Sequence, residues 1–204
     1  MSQTDVIDHL VGIDGASPLA AIRERRLQAR TNAQASYTAL FHPADPSEAS
    51  LAERLAVAVF TAGLHGQDGI RDFYSERLRA ESPSGALTEA LAAEIARGAT
   101  AGPYGAYPEG PLSAEDEDGL HYRPSGEAAA VLGPRLTAAL AHTHLLVFRP
   151  RDASPAALAA LLEAGWSTTG VVTLSQLVAF LAFQIRTVAG LRVLAATPAA
   201  RGLA

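Results

Sequence analysis

Apolar residues recur at helical rather than strand spacing along most of this chain. Leu87, Leu91 and Ile95 follow one another at intervals of four within Ser84–Ala99, which places them on one face of a helix. The same spacing, with caps and with Gly or Pro stops, predicts further helices at about residues 5–11, 18–40, 45–63, 70–79, 128–147, 154–164 and 168–195. The pattern therefore predicts an all-α fold.

Residues 100–126 interrupt this pattern with a segment rich in proline and glycine. The segment divides the chain into two helical halves, about 17–99 and 127–197, which we assign to a single domain covering residues 1–204. Its Tyr104, Tyr107, His121 and Tyr122 are expected to cover either a cleft or a neighbouring subunit, because loops of this length are usually functional or flexible.

A short internal match suggests that the two halves are related. The segments Phe41–Leu51 and Phe148–Leu158 agree at six of eleven positions, and each joins one predicted helix to the next. Either the halves arose by duplication, packing about a pseudo-twofold axis, or the match is chance in a chain rich in alanine and proline.

Composition narrows the function classes. Nearly half of the residues are apolar and only 6% are aromatic, which suits packed helices rich in alanine. The net charge of −5 gives no basic footprint for nucleic acid. The chain has no cysteine, so disulfides and thiolate metal sites are excluded. All 16 cationic side chains are arginine, so no lysine Schiff base can form.

Targeting and membrane signals are weak in this sequence. The first ten residues lack a basic region followed by an apolar run, so we predict no signal peptide. The most apolar stretch, Val171–Ile185, has 15 residues, whereas a membrane-spanning helix needs about 20. We therefore expect a buried core helix here and a cytoplasmic protein without a membrane partner.

Two segments resemble the alkylhydroperoxidase (AhpD-like) and carboxymuconolactone decarboxylase families. The first is LAERLAVAVFTAGLHGQDGIRDFY, Leu51–Tyr74, and the second is LLEAGWSTTGVVTLSQLVAFLAFQIRTVAGL, Leu161–Leu191. With their flanks they cover most of Pro43–Ala80 and Pro134–Leu194. The resemblance implies an AhpD-like helical bundle that assembles as a homo-oligomer.

The chain departs from these families at their redox motif, Cys-x-x-Cys-x-x-x-His. One alignment register places Gly66, Gly69 and Phe73 at the motif positions. A register shifted by one residue places His65, Asp68 and Asp72 there instead, with Glu53 at the distance where peroxidatic members carry a glutamate. Neither register supplies a thiol, so the chain cannot be a thiol peroxidase.

The shifted register suggests acid–base chemistry. On a continuous helix His65, Asp68 and Asp72 share one face, and Glu53 of the preceding helix is the candidate partner of His65. These four residues are our predicted catalytic group. The alternative is a polar helix start, with Asp68 and Asp72 complementing the helix dipole. A divalent metal held by His65 and the two aspartates is a further alternative, but we predict no metal and no cofactor.

Arg186 and His144 are the predicted substrate-binding residues. Arg186 lies within an apolar helix, where a buried guanidinium needs a carboxylate from the protein or from a ligand. His142 and His144 are two residues apart, so on a helix they cannot both line one pocket, and one of them is expected to face the core.

Two functions follow from these residues. The first is a cofactor-independent acid–base enzyme acting on a small carboxylic acid or lactone. The resemblance suggests it, since decarboxylase members of the family that this chain resembles also work without redox cysteines. The second is a catalytically silent protein that serves as an oligomeric scaffold or as the partner of an active paralogue.

Overall fold

The computed structural model describes residues 5–197, and this part of the chain is all-α, as the spacing predicts. Ser, Asp or Pro residues begin most of the helices, as their preference for caps and first turns requires. The described residues form nine α-helices: α1 (Val6–Val11), α2 (Pro18–Glu24), α3 (Leu27–Phe41), α4 (Leu51–Leu64), α5 (Asp68–Glu81), α6 (Ala86–Gly98), α7 (Gly126–Phe148), α8 (Pro155–Glu163) and α9 (Thr168–Ala196).

Helix α4 is the centre of the bundle. Its residues from Arg54 to Ala62 are all buried, and the helix packs against α5, α6, α7 and α9. Helices α1 and α3 cover α9 on one side, and α8 lies against α7 and α9 on another. The two predicted halves therefore share a single hydrophobic core, with α4 from the first half enclosed by α7 and α9 from the second.

The largest differences from the predicted helix bounds concern two helices. The helix predicted over 18–40 is broken at Arg26, whose backbone is not helical, and both Arg23 before the break and Arg30 after it donate to Asp8 of α1. The helix predicted to begin at Asp45 begins instead at Leu51. Ser50 and Glu53 form a capping box at that position.

Helix α7 consists of two helical segments joined by a kink. Gly133 takes a positive φ of 70°, which only glycine adopts without cost, and Pro134 then begins the second segment. Duplication of the two halves, the first of the two explanations of the short match, gains no direct support from these elements and stays a prediction. The segments Phe41–Leu51 and Phe148–Leu158 do each connect the end of one helix to a serine-capped helix.

The loop over residues 100–126 is fixed to the bundle rather than open over a cleft. Tyr104 and Tyr122 are buried; the Tyr104 hydroxyl donates to the Leu120 carbonyl and that of Tyr122 donates to Glu94. Gly105 and Glu117 pair across the loop as a single antiparallel bridge. Glu94 itself is buried and also accepts hydrogen bonds from the Ser125 amide and hydroxyl, which holds the end of the loop against α6.

Helix α9 is longer than the apolar stretch that the sequence suggested. It runs for 29 residues, and by length and mean hydropathy it is the one helix among residues 5–197 that could cross a membrane. Fewer than half of the residues in its most apolar window are buried inside the molecule. The prediction of a buried core helix is therefore correct for one face of α9 only.

Candidate functional site

His65 and the two aspartates do not share a helix face. His65 caps the C-terminal end of α4, and α5 begins three residues later at Asp68. The carboxylates of Asp68 and Asp72 are exposed, and Arg71 donates to both, at 2.7 and 2.9 Å. A shared face requires one continuous helix, and the turn at Gly66 separates α4 from α5.

Glu53 cannot act as the partner of His65. Both residues belong to α4, where twelve residues at 1.5 Å each separate them by about 18 Å. The Glu53 carboxylate accepts instead from the Ser50 amide at 2.8 Å and from Arg135 of α7 at 2.7 Å. Burial alone would raise the pKa of Glu53, but the hydrogen bonds from Arg135 and Ser50 outweigh it and lower that pKa. Glu53 is therefore an ionised structural group rather than a proton carrier at neutral pH.

The side chain near His65 is Arg186. Burial and the charge of Arg186 lower the pKa of His65, so the imidazole is neutral at neutral pH. Its Nε2 atom is enclosed and has no hydrogen-bond partner within residues 5–197. Arg186 is exposed, contrary to the prediction of a buried guanidinium, because it lies on the outer face of α9. Arg186 thus influences the charge state of His65, but within residues 5–197 no hydrogen bond joins the two side chains.

His144 is a core residue and not a substrate ligand. Its Nε2 atom lies 3.0 Å from the Gly98 carbonyl, and the ring is held between Tyr122 and Phe148, with centroids 4.7 and 4.8 Å away. Burial is the main reason that the pKa of His144 is lowered. The expectation that one of the two histidines faces the core is met by His144, and the substrate-binding assignment is wrong because the ring is buried.

His142 is also buried and lies next to a serine, but the pair is not set for nucleophilic catalysis. Its Nε2 atom is 3.2 Å from the Ser175 hydroxyl, which donates its own proton to the Val171 carbonyl at 2.9 Å. A nucleophilic serine must instead donate to the histidine. Across the described part of the chain, no group of three or more His, Cys, Asp or Glu residues is arranged to hold a metal ion.

The most unusual charged side chain is Arg54, which the sequence analysis did not single out. It is 5% exposed, and its Nε and Nη1 atoms donate to the carbonyls of Ala49 and Leu40 at 2.7 and 2.8 Å. Within residues 5–197 no carboxylate forms an ion pair with it. Five N–H groups belong to a guanidinium, so three remain beyond these two bonds. Burial lowers the pKa of Arg54, opposed by the charge of Glu53.

Arg54 lines a groove between α3 and α9. The groove has a volume of about 580 Å³, within the range of small-molecule sites. Its lining combines apolar, small polar and charged residues: Ser36, Ala39, Leu40, Pro43, Asp45, Glu48, Arg54, Thr169, Thr173, Gln176, Ala179 and Phe180. The sequence did contain a signal, because Arg54 shares the buried helix face of Val57, Ala58 and Thr61, where an arginine is unusual.

Comparison with protein-family models, with curated proteins and with solved structures found no significant match to this chain. The resemblance to the AhpD-like and carboxymuconolactone decarboxylase families therefore stays a prediction.

Proposed function

We propose that this protein binds a small carboxylic acid in the groove between α3 and α9, with Arg54 as the carboxylate-binding residue. The observation that carries the proposal is a buried guanidinium with which no carboxylate of the described chain forms an ion pair, placed in the wall of a groove of ligand size. A buried charge is costly unless it is paired, and a guanidinium presents its donors in the geometry that a carboxylate fits.

Arg54 also has a structural role that the proposal must accommodate. Its bonds to Leu40 and Ala49 fasten the last turn of α3 to the residues just before α4, where helix-end carbonyls need donors. Those two bonds involve Nε and Nη1. The Nη2 amino group forms no hydrogen bond within the described chain and is the group assigned here to the ligand.

The acidic residues of the groove specify the ligand further. Asp45 lines the groove, and a hydrogen bond from the Ser47 backbone is the main reason that its pKa is lowered. Glu48 lines it too and accepts a hydrogen bond from the Ser167 hydroxyl. One guanidinium and two carboxylates favour a ligand that carries an ammonium group beside its carboxylate, such as an α-amino acid. The same charges disfavour dicarboxylates.

This proposal keeps one part of the sequence-based enzyme hypothesis and leaves out the other. The small carboxylic acid remains as the ligand class, although Arg54 replaces Arg186 and His144 as its binding residue. The proton transfers assigned to Glu53 and His65 have no support, since the two side chains lie at opposite ends of α4 and Glu53 is paired with Arg135. The proposed function is therefore ligand binding, without an assigned reaction.

The catalytically silent scaffold is the second candidate, and a specific observation favours it. Large apolar side chains of α9 are exposed along its outer face, with Val172 at 50% and Val193 at 68%. A face of this kind is typical of a protein that associates with another subunit. Ligand binding and association are compatible, because a scaffold or a partner of an active paralogue can still carry a bound small molecule.

Thermal shift with matched ligands tests the proposed binding. Alanine, propionate and succinate share a short carbon frame and differ in charge, so we expect alanine to stabilise most and succinate least. At about a hundred times its dissociation constant a ligand adds roughly 2.7 kcal/mol, or roughly 5–11 °C for a chain of this size.

The control for this experiment is a second arginine. The shift should be absent in Arg54→Gln and unchanged in Arg71→Gln, whose guanidinium pairs with exposed aspartates. Because Arg54→Gln also removes structural bonds, Thr173→Val offers a milder change in the same groove wall. Equal shifts in wild type and in both groove variants, or no shift from any of the three compounds, would contradict the proposal.

A further inference from the structure

The outer face of α9 carries a regular seam of exposed residues. Between Val172 and Val193 the exposed positions, apart from Arg192, follow one another at alternating intervals of four and three. This is the spacing by which one helix packs along another in a coiled coil. The seam consists of Val172, Gln176, Ala179, Phe183, Arg186, Gly190 and Val193.

We infer that this seam pairs with the seam of a second copy of the same chain, in antiparallel orientation. The pairing that we infer places Ala179 opposite Phe183 of the second copy, so that the two-fold axis passes near the middle of α9. A two-fold interface must be self-complementary, because each contact is made twice. Each residue of the seam must therefore fit the residue that it faces in the second copy.

Large and small residues alternate across this pairing. Phe183, which is 47% exposed, meets Ala179 of the second copy, and Val172 meets Gly190. A side chain built at Gly190 would meet no atom of its own chain within 4 Å, so the space above this glycine is open. Phe183 and Val172 thus each face a residue small enough to receive them, which close approach of two helices requires.

The charges of α9 favour the antiparallel orientation over the parallel one. The helix contains Arg186 and Arg192 and no acidic residue. In a parallel pair Arg186 would meet its own copy and repel it. In the antiparallel pair it meets Gln176, which lines the same groove as Asp45 and Glu48. The basic half of one helix therefore lies along the acidic edge beside the other.

The absence of native cysteine makes the register directly testable. Two single variants, Ala179→Cys and Phe183→Cys, each carry one thiol at an exposed position. Mild oxidation of a mixture of the two should give a disulfide-linked dimer, and each variant alone should give far less. Strong cross-linking of either variant by itself would show a parallel pair and overturn the inference.

A charge exchange gives an independent readout on the native dimer. Gln176→Arg places two arginines opposite each other twice, and sedimentation should show the variant shifted to monomer. Adding Arg186→Glu to it should restore the dimer, because the two facing positions then carry opposite charges. All positions are exposed, so circular dichroism should show unchanged helix content.

Wild-type protein that is monomeric at high concentration, or that floats with lipid vesicles instead of pairing, would overturn the inference. No ligand is added, so the outcome is independent of Arg54.

Discussion

The two ends of helix α4 carry the same kinds of charged residue but differ in what those residues contact. At the C-terminal end, His65 is followed by Asp68 and Asp72, and the aspartates are exposed and paired with a neighbouring arginine. At the N-terminal end, Glu53 and Arg54 are adjacent in sequence and lie in different surroundings. Glu53 pairs with Arg135, whereas Arg54 is buried with backbone carbonyls as its only partners within the described chain.

This difference separates charge that water already stabilises from charge that the fold must stabilise. An exposed ion pair such as that of Arg71 with Asp68 contributes little, because water competes for both partners. The guanidinium of Arg54 is 5% exposed and has little access to water, so a positive charge without a paired carboxylate carries a cost there. The motif-like spacing pointed to the C-terminal end, but the groove and the unpaired charge are at the N-terminal end.

The largest expected effect comes from removing the buried charge itself. Arg54→Met keeps most of the side-chain volume but leaves the carbonyls of Leu40 and Ala49 without their donor, so we expect a loss of about 2–4 kcal/mol of unfolding free energy. Arg71→Met at the other end of α4 should cost less than about 0.5 kcal/mol. Urea unfolding at pH 7 measures both. Equal losses in the two variants would show that burial does not distinguish these arginines.

A smaller effect is expected at Arg135, which neutralises Glu53. Besides Glu53 it donates to the carbonyls of Gly165 and Glu48, and its guanidinium stacks on Trp166 at 4.1 Å. Arg135→Met should cost about 1–3 kcal/mol, because a half-buried carboxylate loses its counter-charge. The double variant Arg135→Met with Glu53→Gln should recover part of this loss. A double variant less stable than Arg135→Met alone would contradict the assigned pairing.

The contribution of the Glu53 carboxylate to stability should also depend on pH. Its pKa in the folded state is lowered, so its carboxylate stabilises the fold above the unfolded value of about 4.3, and this contribution is lost as the pH falls. Glu53→Gln should therefore cost about 1 kcal/mol at pH 7 and less at pH 3. Unfolding curves of wild type and Glu53→Gln at the two pH values measure the difference in stability, and a difference that is the same at both would contradict the prediction.

The sequence predicted the helices well and the site poorly, for different physical reasons. Helix periodicity depends on local spacing, so the positions of α5, α6, α8 and α9 follow from the chain itself. The capping box at Ser50 was also readable, and it would have moved the start of α4 from Asp45 to Leu51. The break at Arg26 could not be predicted from the sequence, because Arg23 and Arg30 on either side of it bond to Asp8, which is distant in sequence.

Site residues depend on contacts that spacing does not encode. The partner of Glu53 is Arg135, 82 residues away, and the groove that contains Arg54 is completed by α9, more than 100 residues away. A buried arginine does need a partner, but helix α9 carries apolar residues on every side, so the sequence alone could not tell whether Arg186 faced inward or outward. Arg54 is buried, and its need for a partner points to the groove that it lines.

The smallest expected effect concerns His65, at the end of α4 where no function is now assigned. The charge of Arg186 is the second cause, after burial, of its lowered pKa, so Arg186→Gln should raise the His65 pKa measured by NMR. A lowered histidine pKa stabilises the fold above the unfolded value of about 6.5, and this contribution is lost as the pH falls. In Arg186→Gln the unfolding free energy should therefore fall by less than in wild type as the pH drops from about 6.5 to about 5. Arg192→Gln, on the same helix, should leave the His65 pKa unchanged. If both variants shift it equally, the effect belongs to the general charge of α9 rather than to Arg186.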